Sequence, residues 1–275
     1  MLWKTTIRSI RKMEKTNKTA IVVRCFTALL IMFVAGKLLG TYISGLLEGR
    51  LPEAALMFIK GSSCLYTVGL AAFYLIIKGI KPVNLPAPSM TLTVPRFIKI
   101  FLVQSGLSFI AMLPINVIIK LSGIKTNTTT PEEILAHPVF YIFMLIFFAP
   151  IMEELVFRKL MLSRLLKIGT VPAVIVSAAF FALPHLYSQG PAQVPYTFVL
   201  GLVWAYVYIR TGKLLPAIVL HSLSNIYCGF LTVFWPLDTP LGMTAYAFTY
   251  AMCMPCIAIL ITVFSRDEIK RIREV

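Results

Sequence analysis

Glu153 and Glu154 stand side by side, with Arg158 four residues on, at the end of the apolar run 139–149. Ionisable groups at membrane depth are expensive, and a span that keeps them is read by default as part of a site. On a helix Glu154 and Arg158 share one face, acid before base, which is the favourable order for a pair. Glu153 points elsewhere, and with Arg158 neutralising Glu154 it is the carboxylate left over for work as a general base. The bland alternative is a solvated loop edge. Two of the three histidines argue against it, because His185 and His221 also lie inside apolar runs, whereas His137, beside Pro138 at a boundary, reads as a bystander. His221 and Asn225 are four apart and project from one helical face, where both can donate hydrogen bonds to a single point, as an oxyanion hole requires. Pro184 and Pro216, just before the two histidines, are expected to loosen or kink their helices.

The elements that must position these groups follow from composition. Of the 275 residues 58% are hydrophobic and 13% charged, and the mean hydropathy is +0.84. The expected fold is all-α, a polytopic integral membrane protein with no separate soluble domain and the site inside the helix bundle. Apolar runs at 19–47, 54–77, 97–121, 139–157, 171–187, 196–209, 214–235 and 244–264 give about eight transmembrane helices. The net charge of +15 sits mostly between those runs. It therefore follows the positive-inside rule, with membrane lipid as partner and no nucleic acid. On that count both termini and every strongly basic loop lie in the cytoplasm, and the membrane is taken to be the cell membrane. The organisation expected is a basic cytoplasmic tail over 1–18, one transmembrane bundle over 19–265 with a catalytic core at about 138–230, and a charged cytoplasmic tail over 266–275.

Some stretches are less determinate. Residues 188–195 form an uncharged connection for which broken or re-entrant backbone is an alternative. Asn127-Thr128-Thr129, in a polar loop expected outside, fits a glycosylation sequon. His185 lies about 18 residues, or about 27 Å, beyond Lys167, so the fourth and fifth helices are expected to project into the cytoplasm as a hairpin. The five cysteines all fall in or beside apolar runs and read as small hydrophobes, Cys253-x-x-Cys256 included.

Glu153-Glu154…Arg158, Phe181…His185 and His221…Asn225 match, in order and on separate spans, the Glu-Glu-x-x-x-Arg, Phe-x-x-x-His and His-x-x-x-Asn motifs of the CPBP family. That family comprises the CAAX prenyl proteases and bacteriocin-processing enzymes, also called Abi, and the resemblance covers about Phe140 to Phe230. It implies an intramembrane endopeptidase acting on a membrane-associated or lipidated, CAAX-like protein or peptide; a prenylated tail, a leader peptide and another membrane protein would all suit as substrate. In that picture Glu153 and His185 activate a water, His221 and Asn225 stabilise the oxyanion, and Glu154 and Arg158, with Phe181, order the site. A metal-free mechanism is expected. The alternative is that Glu153, His185 and His221 hold Zn²⁺ with water as fourth ligand.

Other intramembrane protease designs fit less well. The aspartates are Asp238, in a loop, and Asp267, in the tail, which excludes an aspartyl dyad. No His-Glu-x-x-His helix and no Gly-x-Ser-x-Gly elbow occurs, although Ser222 or Ser224 could in principle serve a serine–histidine dyad. From a different class, the competing reading is a non-catalytic membrane protein, either a peptide-toxin immunity factor or a transporter.

Overall fold

The computed structural model describes residues 2–123 and 130–264, with side chains from Asn17 onward. The Asn127 sequon and the tail 266–275 lie outside the described residues. Among those described, all regular structure is helical: α1 Leu2–Leu46, α2 Glu53–Ile77, α3 Val94–Ser122, the short α4 Pro131–Ala136, α5 Pro138–Ile168, α6 Thr170–Gln189, α7 Gln193–Thr211, α8 Leu215–Leu231 and α9 Pro240–Phe264. Each of the apolar runs read from the sequence is a helix. Six helices are long and apolar enough to cross a membrane, namely α2, α3, α5, α6, α9 and the Asn17–Leu46 part of α1, while α8 is apolar but shorter. The chain is a polytopic integral membrane protein.

Across residues 188–195 the helical backbone is broken, at 190–192. Helix α6 runs to Gln189, Gly190 takes a positive φ of 90°, and α7 starts at Gln193. A residue with a Cβ is strained at such a φ, which is why glycine closes the turn there. The expectation for Pro216 is corrected. It occupies the first turn of α8 rather than its interior, where the missing N–H would have had no helical partner anyway, so it starts the helix instead of kinking it. Pro184 does lie inside α6.

Contacts divide the chain into two compact units, residues 1–85 with 155–180 and residues 86–154 with 181–275. In the first, α1 packs along α2. The approach is close because Gly36 and Gly40 face α2: a Cβ on Gly36 would sit 2.5 Å from the Leu65 Cα, and one on Gly40 would sit 2.7 Å from the Ile59 carbonyl oxygen. Gly69 returns the contact, its would-be Cβ 2.6 Å from the Met32 carbonyl oxygen. This small-residue stripe lets backbones touch where lipid supplies no hydrophobic drive. The C-terminal part of α5 is tied to the same unit by Arg164, whose Nε donates to the Ile77 carbonyl at 3.3 Å, and by the Val83 N–H donating to the Ser163 carbonyl at 2.7 Å. In the second unit α3 packs against both α7 and α9. Gly106 lies directly against the Met254 backbone there, and Gln104, Ser105 and Ser108 are buried on the same part of α3.

Candidate active site

The second unit gathers Glu153 and Glu154 from α5, Phe181 and His185 from α6, and His221 and Asn225 from α8. Helix α8 packs against the α5 segment that carries the glutamates. Two side chains stitch the pair: Ser222 Oγ donates to the Ile146 carbonyl at 2.7 Å and Asn225 Nδ2 donates to the Leu145 carbonyl at 2.8 Å. Both carbonyls belong to the π-wound turn Phe143–Phe148. Wide turns of this kind interrupt the regular backbone ladder and recur at functional sites.

His221 is the centre of the arrangement. It is 3% exposed, and its Nδ1 lies 3.1 Å from Glu154 Oε1. With Glu154 ionised, and so only an acceptor, Nδ1 carries the proton and Nε2 is the ring atom left to face outward. That Nε2 lies 3.8 Å from Glu153 Oε2, too far for a direct hydrogen bond and close enough for both to act on one reacting group. The spacing rule offered Arg158 as the partner of Glu154; the geometry supplies His221 as a partner. Arg158 itself is wholly buried on the first unit's part of α5.

His185 Nδ1 lies 2.9 Å from the Phe181 carbonyl oxygen. A carbonyl only accepts, so Nδ1 donates and Nε2 keeps its lone pair, which is the tautomer a proton acceptor needs. The Phe181 ring lies between the two histidines, its centroid 5.0 Å from that of His185 and 5.8 Å, edge-on, from that of His221. Asn225 gives one amide N–H to Leu145, and a primary amide has a second. Ser224 donates to the Leu220 carbonyl of its own helix, and the single O–H of Ser222 is shared between the Ile146 and Ile218 carbonyls, an engagement unsuited to a serine nucleophile.

Two residues that the motif reading did not single out complete the site. Trp204 of α7 stacks on the His221 ring at 4.2 Å and 20°, and its Nε1 donates to Gln104 Oε1 at 2.9 Å. Gln104, 0% exposed on α3, donates in turn from Nε2 to Ser224 Oγ at 2.8 Å. A glutamine inside an apolar run was a visible signal, since a polar side chain at membrane depth needs a partner.

Among the described residues no three His, Cys, Asp or Glu side chains are grouped closely enough to hold a metal ion. Because His221 and His185 each engage Nδ1 with an oxygen, Nε2 is the atom either would offer a metal, and no step is derived through one.

Comparison with known proteins bears on the same segment. The family model described as Type II CAAX prenyl endopeptidase Rce1-like matches residues 135–227. CAAX prenyl protease 2 of Homo sapiens is 34% identical over a match covering 34% of this chain and 33% of that protein. The membrane-embedded CAAX protease MroQ of Staphylococcus aureus (strain USA300) is 31% identical over 35% of this chain and 39% of its own length. The chain thus spans about a third of the first relative and about two fifths of the second. No solved structure matches. Residues 135–227 hold the Glu153–Glu154 pair, Arg158, Phe181, His185, His221 and Asn225 in the order and setting just described, so the similarity to membrane CAAX proteases falls on the segment that carries the candidate site.

Proposed function

We propose that this protein is an intramembrane endopeptidase that hydrolyses a peptide bond in a membrane-associated or lipidated, CAAX-like protein or peptide. The observation that carries the reading is the buried Glu154–His221 contact at 3.1 Å with Glu153 3.8 Å from the other ring nitrogen. A buried carboxylate that orients a histidine, beside a second carboxylate of separate role, is the recurring logic of acid–base catalysis.

In this mechanism Glu153 and His185 Nε2 share the removal of a proton from the attacking water. The second N–H of Asn225, with His221 once its Nε2 also carries a proton, holds the carbonyl oxygen as it gains charge, and the proton taken from water passes to the leaving amine. Glu154 keeps His221 in one tautomer and orientation. Burial of Glu154 and His221 makes their contact stronger than in water. A prenylated C-terminal peptide suits the relatives' names, and the basic loops favour an entrance from the cytoplasm with both termini on that side.

The test is cleavage, by the full chain purified in detergent, of a farnesylated peptide ending in a CAAX sequence, read by mass spectrometry. Glu153→Gln keeps shape and removes the base, so product should fall below detection while the yield of monodisperse protein is kept. Equal turnover by the wild type and Glu153→Gln would overturn the assignment.

A further inference from the structure

The first unit carries a cavity of about 460 Å³ beside the start of the α1 span, which no step of the proposed proteolysis uses. We propose that it binds the phosphate of an anionic phospholipid headgroup. Its described lining holds three cations, Lys18 and Arg24 from α1 and Lys167 from the end of α5, and no acidic residue. Asn17 adds a polar side chain, while Ile21 and Ile80, both buried, give it an apolar floor. On α1 positions 17, 21 and 24 follow the i, i+4, i+7 spacing of one helical face, so the cavity is a property of that face and not of a loop.

Arg24 shows that the site is built. Its Nε donates to the Ile76 carbonyl at 2.6 Å, which fixes the guanidinium at the C-terminal end of α2. The group lies against Gly79, where a Cβ would come within 3.0 Å of Nη2. Glycine therefore makes the room the guanidinium occupies, and the Nη groups keep donors in the planar fork that suits phosphate oxygens. Arg24 also sits five residues into the apolar run that starts at 19, about 8 Å along the helix. An arginine at that depth is costly unless it meets an anion or reaches the interface, and an apolar floor under a cationic rim matches a headgroup with its glycerol and first acyl carbons. The cavity volume falls in the range of about 300–1,000 Å³ typical of small-molecule sites. Lys78 and Lys81 flank Gly79 and Ile80 in sequence, adding to the field that draws anionic lipid to a basic membrane face.

The experiment counts lipids retained by the full detergent-solubilised chain in native mass spectrometry. Short-chain phosphatidylglycerol, phosphatidylcholine and inorganic phosphate are titrated separately and in competition. One phosphatidylglycerol per chain should be retained at a concentration at least about tenfold below that needed for phosphatidylcholine. Lys167→Gln should weaken that binding about fivefold, the contribution of one basic residue near a membrane surface; Lys167 is exposed, so the substitution leaves the fold intact even if Arg24→Gln, which also loses the Ile76 contact, lowers yield. Lys213→Gln, a basic site outside the cavity, should change nothing. Equal retention of the two lipids, or equal weakening by Lys167→Gln and Lys213→Gln, would reduce the feature to general surface charge and overturn the proposal. Displacement of the lipid by inorganic phosphate at the lipid's own concentration would assign the cavity to free phosphate and overturn it as well.

Discussion

Replacing Gln104 by leucine tests whether the buried hydrogen bonds behind His221 matter to its function. Gln104 accepts from Trp204 Nε1 at 2.9 Å and donates to Ser224 Oγ at 2.8 Å. The loss at Ser224 should be small, because that hydroxyl still donates to the Leu220 carbonyl at 2.9 Å. The loss at Trp204 should not be. The indole is 1% exposed, and a buried N–H left without an acceptor costs about 1–3 kcal/mol. Either the indole stays and the protein is destabilised by that amount, or it rotates towards another acceptor and leaves the His221 face on which it is stacked. Rotation frees the imidazole to turn away from Glu154, and a loss of about 1–3 kcal/mol in transition-state stabilisation is about 5- to 150-fold in rate. The assay is peptide cleavage with kcat and KM measured separately, and the fall should be in kcat. Trp204→Phe supplies the control, since it removes the N–H that needs an acceptor and keeps an aromatic face over His221. The double variant Gln104→Leu/Trp204→Phe should therefore be more active than Gln104→Leu alone. Additive losses in that cycle, or full activity in Gln104→Leu, would refute the positioning role.

Glu154→Gln should differ from Glu153→Gln in lowering folded yield together with activity, because the Glu154 carboxylate is wholly buried against His221 and a hydrogen bond to a charged group contributes about 1.5–3 kcal/mol; like behaviour of the two variants in both assays would undo the division of roles. Activity should survive a strong chelator, and elemental analysis should find well under one zinc per active chain; about one zinc, lost in His185→Ala together with activity, would replace the mechanism with a metal one. Single cysteines at the exposed positions Lys167 and Lys213, in a cysteine-free background, should react with an impermeant thiol reagent only after lysis, while one at the exposed Glu132 should react in intact cells. Labelling of the Lys167 position in intact cells would invert the topology.

The helices were legible because apolar run length is a strong signal and each run is closed by charge, proline or glycine. The glutamates and histidines were legible because each violates its apolar setting. What sequence spacing cannot carry is contact between distant residues: Trp204 and Gln104 are 100 positions apart, and nothing local says that one acceptor serves the other. The same limit applies to Glu154. Its helical neighbour Arg158 is visible at four residues' distance, whereas His221, 67 positions away, comes within reach only when α8 lies along α5. Pro216 was misjudged for a local reason, since a proline kinks or starts a helix according to where the first turn falls, and that boundary is the least certain part of any periodic reading.

The glycine contacts between α1 and α2 bear on how the protein is made. These helices and the short turn between them leave the ribosome before any residue of the glutamate or histidine motifs. Their backbones meet through Gly36, Gly40 and Gly69, a contact that needs none of the later chain. The first 77 residues can thus insert and pair as a helical hairpin while the rest is still being translated. A side chain larger than hydrogen at Gly36 would act during biosynthesis, by exposing an unpaired hairpin to membrane quality control, and so would lower the amount of protein without altering the turnover of the molecules that escape.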